Sequence, residues 1–214
     1  MRLPYSVVSY SRIGSICENL AKRIGGRWMR RARYYYIKAM RNGEGAGANN
    51  LAACYATGAL KIQKNLRRAI ELYTLAVNRG CAGAMHNLGC CYYFGEGVNE
   101  DKVKASQFFR MASALNFHWA HYYLGLMYLR GEGVGMDKRM ALKLIKKAAW
   151  SGISNAQYDL AVCYRNGEGV RSRKLLAAFW MLLAALNGCQ SAIRLIGRDE
   201  LLDFLMFKSE LPNV

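Results

Sequence analysis

The chain has 214 residues, 53% of them hydrophobic and only two of them proline, which is enough for a continuous core and weighted towards helix. Thirty-one basic residues against fourteen acidic ones give a net charge of +17, a field that attracts phosphates, acidic protein faces or anionic membranes and says nothing about fold. The longest uncharged apolar run, Leu175 to Leu186, has twelve residues where a membrane span needs about 20, so no transmembrane segment is expected and the run reads as a buried helix.

Residues 1–24 carry Arg2, Arg12, Lys22 and Arg23 among four serines, with Glu18 as their one acid. That composition reads either as a mitochondrial presequence or as an irregular first helix capping a solenoid. A helix is expected from Arg27 to Ala39, with Ala32, Tyr36 and Ala39 turned inward at helical spacing. Lys22, Arg23, Arg27, Arg30, Arg31, Arg33, Lys38 and Arg41 then form a run of cations without an acid, interrupted by Tyr34, Tyr35 and Tyr36. Guanidinium groups interleaved with aromatic rings suit phosphate and base-face contacts. The anion or nucleic-acid patch expected here comprises Arg23, Arg27, Arg30, Arg31, Arg33, Lys38 and Arg41.

From residue 43 the chain keeps time. Gly-Glu-Gly-Val recurs at Gly95, Gly131 and Gly167, 36 residues apart, and alanines recur at Ala69, Ala105, Ala141 and Ala177 and at Ala76, Ala112, Ala148 and Ala184. A fixed period of this length is the signature of a solenoid. Four helix pairs are predicted, at 46–57 with 64–78, 83–94 with 101–115, 119–130 with 137–150, and 155–166 with 173–187. The first helix of each pair ends where a glycine can enter the left-handed region. Val98, Val134 and Val170 are expected to tuck back into the core, and Asn65, Asp101 and Asp137 to cap the second helices. Arg173 breaks that capping column, so Ser172 is expected to cap in its place. Cys54, Cys91 and Cys163 share a column with Met127, where cysteine acts as a small hydrophobe. After Gly197 the period stops, and a last helix is expected over 198–207, succeeded by a loose tail.

These columns resemble the Sel1-like repeat family, relatives of the tetratricopeptide repeat. Ala84, Leu88, Gly89, Tyr92, Gly95, Gly97 and Val98 match its pattern, as do Ala120, Leu124, Gly125, Tyr128, Gly131, Gly133 and Val134. So do Ala156, Leu160, Tyr164, Gly167, Gly169 and Val170. The resemblance spans about residues 29–197 and weakens in the unit from Gly43, where Thr57-Gly58-Ala59-Leu60 replaces the glycine turn. It implies an all-α, right-handed solenoid of antiparallel helix pairs, about four full repeats with terminal capping helices, serving as a scaffold without an active site. The expected organisation is an N-terminal segment over 1–24, the solenoid over 25–197 and a C-terminal cap over 198–214. Some secreted relatives carry a disulfide in every repeat. No such regular pair exists here, Cys81 with Cys90 is the one pairing worth weighing, and a reducing compartment is expected.

No constellation of catalytic type is present. The Gly-Glu-Gly turns come after helices rather than strands and lack a closing Lys-Ser/Thr, so they are not phosphate loops. His118 and His121 are spaced to offer two nitrogens to a metal, but no further ligand falls beside them, and neither a metal nor another cofactor is expected. Tyr55, Tyr92, Tyr128 and Tyr164 form a column that reads as packing. In solenoids of the family it resembles, the first helix of each pair lines the concave face. A partner groove is therefore expected from the positions that vary there: Asn50, Asn87, His86, Trp119, Tyr122, Tyr123, Tyr158 and Asp159. The expected function is a protein-binding scaffold or adaptor within a multi-subunit complex, not an enzyme. The alternative is a basic subunit contacting RNA in an organellar ribonucleoprotein, with a mitochondrial setting slightly favoured over a cytoplasmic one; the basic patch would then meet RNA or an acidic protein surface.

Overall fold

The computed structural model describes residues 9–196. The helix expected over 198–207 and the tail after it lie outside the described residues. Among those described are eleven α-helices, one 3-10 turn and no strand. Contacts divide the chain into two compact units that meet at Leu115 and Asn116 in sequence.

The first unit holds α1 (Tyr10–Ile24), α2 (Arg27–Arg41), α3 (Gly45–Thr57), a 3-10 turn (Ala59–Lys61), α4 (Leu66–Asn78), α5 (Ala82–Phe94) and α6 (Lys102–Ala114). The second holds α7 (His118–Arg130), α8 (Lys138–Trp150), α9 (Ser154–Asn166), α10 (Lys174–Leu186) and α11 (Gln190–Ile196). Within each unit every helix packs on the next, as a stack of antiparallel pairs. The predicted boundaries hold to within two residues. The column alanines are buried essentially completely, and because they carry only a methyl group they let paired helices approach closely. Where α5 meets α6, a Cβ on Gly89 would lie 2.8 Å from the Phe109 ring. Burying a side chain such as Phe109, Ile145 or Leu160 in full, as here, contributes about 1.5–3 kcal/mol each.

The reversal inside each pair is held by backbone bonds. Gly95, Gly131 and Gly167 sit at the ends of α5, α7 and α9 in the left-handed region. The next amide donates back into the helix, Glu96 to Cys91, Glu132 to Met127 and Glu168 to Cys163, at 2.9–3.0 Å. Then the residue that opens the second helix donates its amide to the carbonyl of the column tyrosine. The pairs are Asn65 to Tyr55, Asp101 to Tyr92, Asp137 to Tyr128 and Arg173 to Tyr164, at 2.8–2.9 Å. In the weaker first repeat Leu60 and Lys61 adopt positive φ, of 55° and 57°, to make the same reversal without a second glycine.

The side chains of Asn65, Asp101 and Asp137 cap α4, α6 and α8 as expected. Ser172 does not cap α10. Its hydroxyl donates instead to the Arg165 carbonyl at 2.9 Å, because Arg173 keeps the capping position by its backbone and leaves that helix without a side-chain cap. The Leu175–Leu186 run is also not a buried helix. Ala177, Ala178, Trp180, Met181 and Ala184 face the core, while Leu175, Phe179 and Leu186 stand in solvent, since α10 packs along one side only. At the N-terminus α1 packs on α2. The Glu44 carboxylate accepts bonds from the Ser9 hydroxyl (2.6 Å) and from the amides of Tyr10 (2.9 Å) and Ser11 (3.0 Å), anchoring the start of α1 to the start of α3.

All seven cysteines are free, and five are buried. Burial pushes the Cys90 and Cys163 thiols up to about 12 and those of Cys54 and Cys91 up to about 11, which leaves almost no thiolate at neutral pH.

The turn geometry and the thiols can each be tested. Gly131→Val places a β-branched residue at φ +72°, its Cβ 3.3 Å from that of Met136, and should cost about 1–3 kcal/mol. Gly169→Ala should cost at least as much, because its Cβ would run into the Lys138 carbonyl, which is backbone and cannot swing aside. Thermal melts by circular dichroism check both, and a wild-type midpoint in either variant would contradict the turn geometry. For the thiols, Ellman's reagent without reductant should find seven after denaturation and only a minority before it. Fewer than six after denaturation would mean that a disulfide exists.

Candidate functional site

The residues expected to form a partner groove lie on the first helix of each pair. In the first unit they make an amide ladder. Asn87 donates to Asn49 at 2.9 Å, Asn49 to Asn50 at 3.2 Å, and Asn50 to the Ser15 hydroxyl at 3.3 Å. Asn50 lines a cleft of about 550 Å³ between α1 and α3 together with Ser15, Glu18, Asn19, Lys22 and Tyr36. Tyr36 donates to Glu18 at 2.6 Å on its wall. His86 is turned inward, its ring 5.6 Å from that of Phe109 and its Nε2 3.6 Å from Cys90 Sγ. Burial pushes its pKa down to about 4, so it is a neutral packing group at physiological pH.

In the second unit the Tyr122 hydroxyl donates to Asp159 at 2.8 Å, joining α7 to α9. Burial raises the pKa of Asp159, against the pull of the Tyr122 hydrogen bond and the Arg130 charge, so a partly desolvated carboxylate sits beside aromatic rings. Trp119 packs edge-on to Tyr122 at 6.4 Å and Tyr123 does so at 5.7 Å. Trp119 is exposed, Tyr123 is half-buried, and Tyr158 packs partly against the core. His121 is buried and His118 exposed, with ring centroids 6.0 Å apart.

The basic patch resolves into two parts. Arg27, Arg30, Arg31, Lys38 and Arg41 fall on one side of α2 at helical spacing, and Arg23 lies in the last turn of α1. The Arg31 guanidinium stacks 4.9 Å over Trp28, and the Lys38 ammonium sits 4.4 Å over Tyr10 and 6.0 Å over Tyr34. Arg33 points elsewhere. It shares a polar cleft of about 390 Å³ with Lys61, Gln63, Lys64 and Asn65. Lys61 and Lys64 carry no sequence signal that ties them to Arg33, because only the irregular turn after α3 brings them there. Glu18 and Ser15 carry none either, because residues 1–24 fall outside the repeat.

The Sel1 repeat pattern matches residues 29–44, 45–81, 82–117, 120–152 and 154–189, together well over half of the chain. In structure the chain is similar to a Sel1 repeat protein from Oxalobacter formigenes, at 26% identity and a TM-score of 0.78, over 96% of this chain and 79% of that one. It is also similar to c5321, a protective antigen of uropathogenic Escherichia coli strains displaying an SLR fold, at 30% identity and a TM-score of 0.72. That likeness covers 94% of this chain but 44% of the antigen, so the chain spans under half of its length. Immunity protein PA5088 from Pseudomonas aeruginosa is similar at 26% identity and a TM-score of 0.62, over 89% of this chain and 69% of that one. No curated protein matches the sequence. Sel1 repeat proteins generally act as protein-interaction scaffolds. By its periodic columns, its helix pairs and these likenesses, the chain belongs to the Sel1 repeat family.

Proposed function

We propose that this chain is a non-enzymatic scaffold subunit that holds a segment of a protein partner against the first helices of its repeats, within a larger assembly. The observation that carries this reading is the segregation of charge. Helices α3, α5, α7 and α9 carry three charged residues among them, Arg130, Asp159 and Arg165, whereas α4, α6, α8 and α10 carry twelve. A face of Asn, Tyr and Trp side chains loses less on desolvation than a charged one and offers contact area at low entropic cost, as interface cores require. Asp159, held by Tyr122 among aromatic rings, would fix the register of the bound segment by meeting a donor or cation on it. The contacts of α1 with α2 and Glu44 support its role as the cap of the stack.

Affinity purification with and without RNase tests the reading. The co-purifying proteins should survive RNase, and Trp119→Ala with Tyr123→Ala should weaken them about tenfold or more. Gln substitutions at Lys143 and Lys146, on a second helix, should leave them in place. Loss of the whole set on RNase treatment would contradict a protein-binding role.

A second reading rests on α2, where aromatic rings hold Arg31 and Lys38 beside exposed arginines. It is contact with RNA phosphates, as in a mitochondrial ribonucleoprotein. Replacing Arg27, Arg30 and Arg31 by Gln should then flatten the salt dependence of generic RNA binding by about 2 units, and Arg33→Gln alone by less than about 1. Equal salt slopes in wild type and variants would remove this reading.

A further inference from the structure

The outward stripe of the second helix in each repeat is fixed by the period. Positions 139, 143, 146 and 150 of α8 correspond to 175, 179, 182 and 186 of α10, and in each helix the four lie within about 60° of one another around the axis. In α8 they are Arg139, Lys143, Lys146 and Trp150, all exposed even though α9 and α10 come after it in the same stack. The stripe is therefore a solvent face and not a stacking face. In α10 the same positions hold Leu175, Phe179, Leu182 and Leu186. Leu175 is 80% exposed, Phe179 51% and Leu186 83%.

The two stripes differ in kind but belong together. Trp150, itself 66% exposed, meets the buried Trp180 of α10 edge-on at 5.0 Å, and Phe179 meets Trp180 at 5.4 Å. Helices α8 and α10 contain no acidic residue. Among the described residues, none of Lys138, Arg139, Lys143, Lys146 and Lys147 joins a salt bridge. The result is a row of uncompensated cations beside a row of exposed leucine and aromatic side chains.

We propose that this face of the second unit docks on an anionic membrane surface, with Trp150, Leu175, Phe179 and Leu186 entering the headgroup layer and the α8 cations meeting anionic lipid. Lysine is depleted in the cores of protein interfaces, yet it joins Trp, Phe and Leu where helices lie on bilayers, its stem along the apolar boundary and its ammonium among the headgroups. A second copy of the chain is a poor occupant, because two such faces would bring like charges together on molecules already at +17. The attachment is peripheral, since no single described helix is long and apolar enough to cross a membrane. The surface lies on the second helices and uses none of the residues assigned to the protein partner.

Co-sedimentation of the full chain with vesicles is the test. Wild type should bind phosphatidylcholine vesicles containing about a third phosphatidylserine and not pure phosphatidylcholine, with binding lost in high salt. Lys143→Gln, Lys146→Gln and Lys147→Gln together should weaken binding on the order of a hundredfold. Leu175→Ser, Phe179→Ser and Leu186→Ser together should weaken it at least tenfold at unchanged salt dependence, with circular-dichroism melts confirming that both variants fold. Brominated acyl chains should quench wild-type fluorescence more than that of Trp150→Phe, a readout that needs no destabilising change. Equal binding to neutral and anionic vesicles, or a serine variant that binds as wild type does, would overturn the proposal. Retention on a polyglutamate resin without vesicle binding would assign the face to an acidic protein and overturn it equally.

Discussion

Each helix pair depends on one backbone bond, from the amide that opens the second helix to the carbonyl of the column tyrosine. It is made four times, Asn65 to Tyr55, Asp101 to Tyr92, Asp137 to Tyr128 and Arg173 to Tyr164. It can form only because a left-handed glycine has already turned the chain, and once formed it fixes where the next helix starts and how it lies on the first. The inward alanines then meet their partners at close range. A helix pair of this kind is apolar on more than one side and gains its stability by stacking on neighbours. The rest of the surface is relieved of structural duty and is free to vary.

That freedom is used differently on the two sets of helices. The first helices vary among Asn, His, Tyr, Trp and a single half-buried carboxylate, and remain almost without charge. The second helices keep their alanines inward and vary outward, from Arg67 and Glu71 in α4, through the cations of α8, to the leucines of α10. An almost uncharged aromatic face and a strongly basic one suit partners of different chemistry. The +17 charge is therefore carried by α2 and the second helices rather than spread evenly.

Periodicity makes most of the fold legible in the sequence. Positions such as Ala105, Gly131 and Asp137 recur because the same contact recurs, and their roles follow from the column. Positions outside the columns are not legible in this way. Serine is a capping residue, but the tyrosine-carbonyl bond keeps Arg173 at the first position of α10 and leaves Ser172 facing Arg165. The Leu175–Leu186 run suggests full burial because hydropathy has no direction. Only the column shared with Arg139 and Lys143 shows that Leu175 and Phe179 point outward. Of the residues expected to line a groove, His86 shares a column with Tyr122 and Tyr158 but turns onto Phe109, since an imidazole is small enough to fold into the pair interface. Arg33 parts from Arg31 and Lys38 because α2 carries it round to another side, beside a turn that breaks the repeat.

The four tyrosine-carbonyl bonds hold the reversals as firmly as the helices they join. Native-state hydrogen exchange measures this directly. The amides of Asn65, Asp101, Asp137 and Arg173 lie at the edge of solvent-facing turns, yet they should exchange as slowly as amides in the middle of the adjacent helices and lose protection together with them. Exchange of these four amides at the rate of open loops, while the helices stay protected, would mean that these bonds do not hold the reversals.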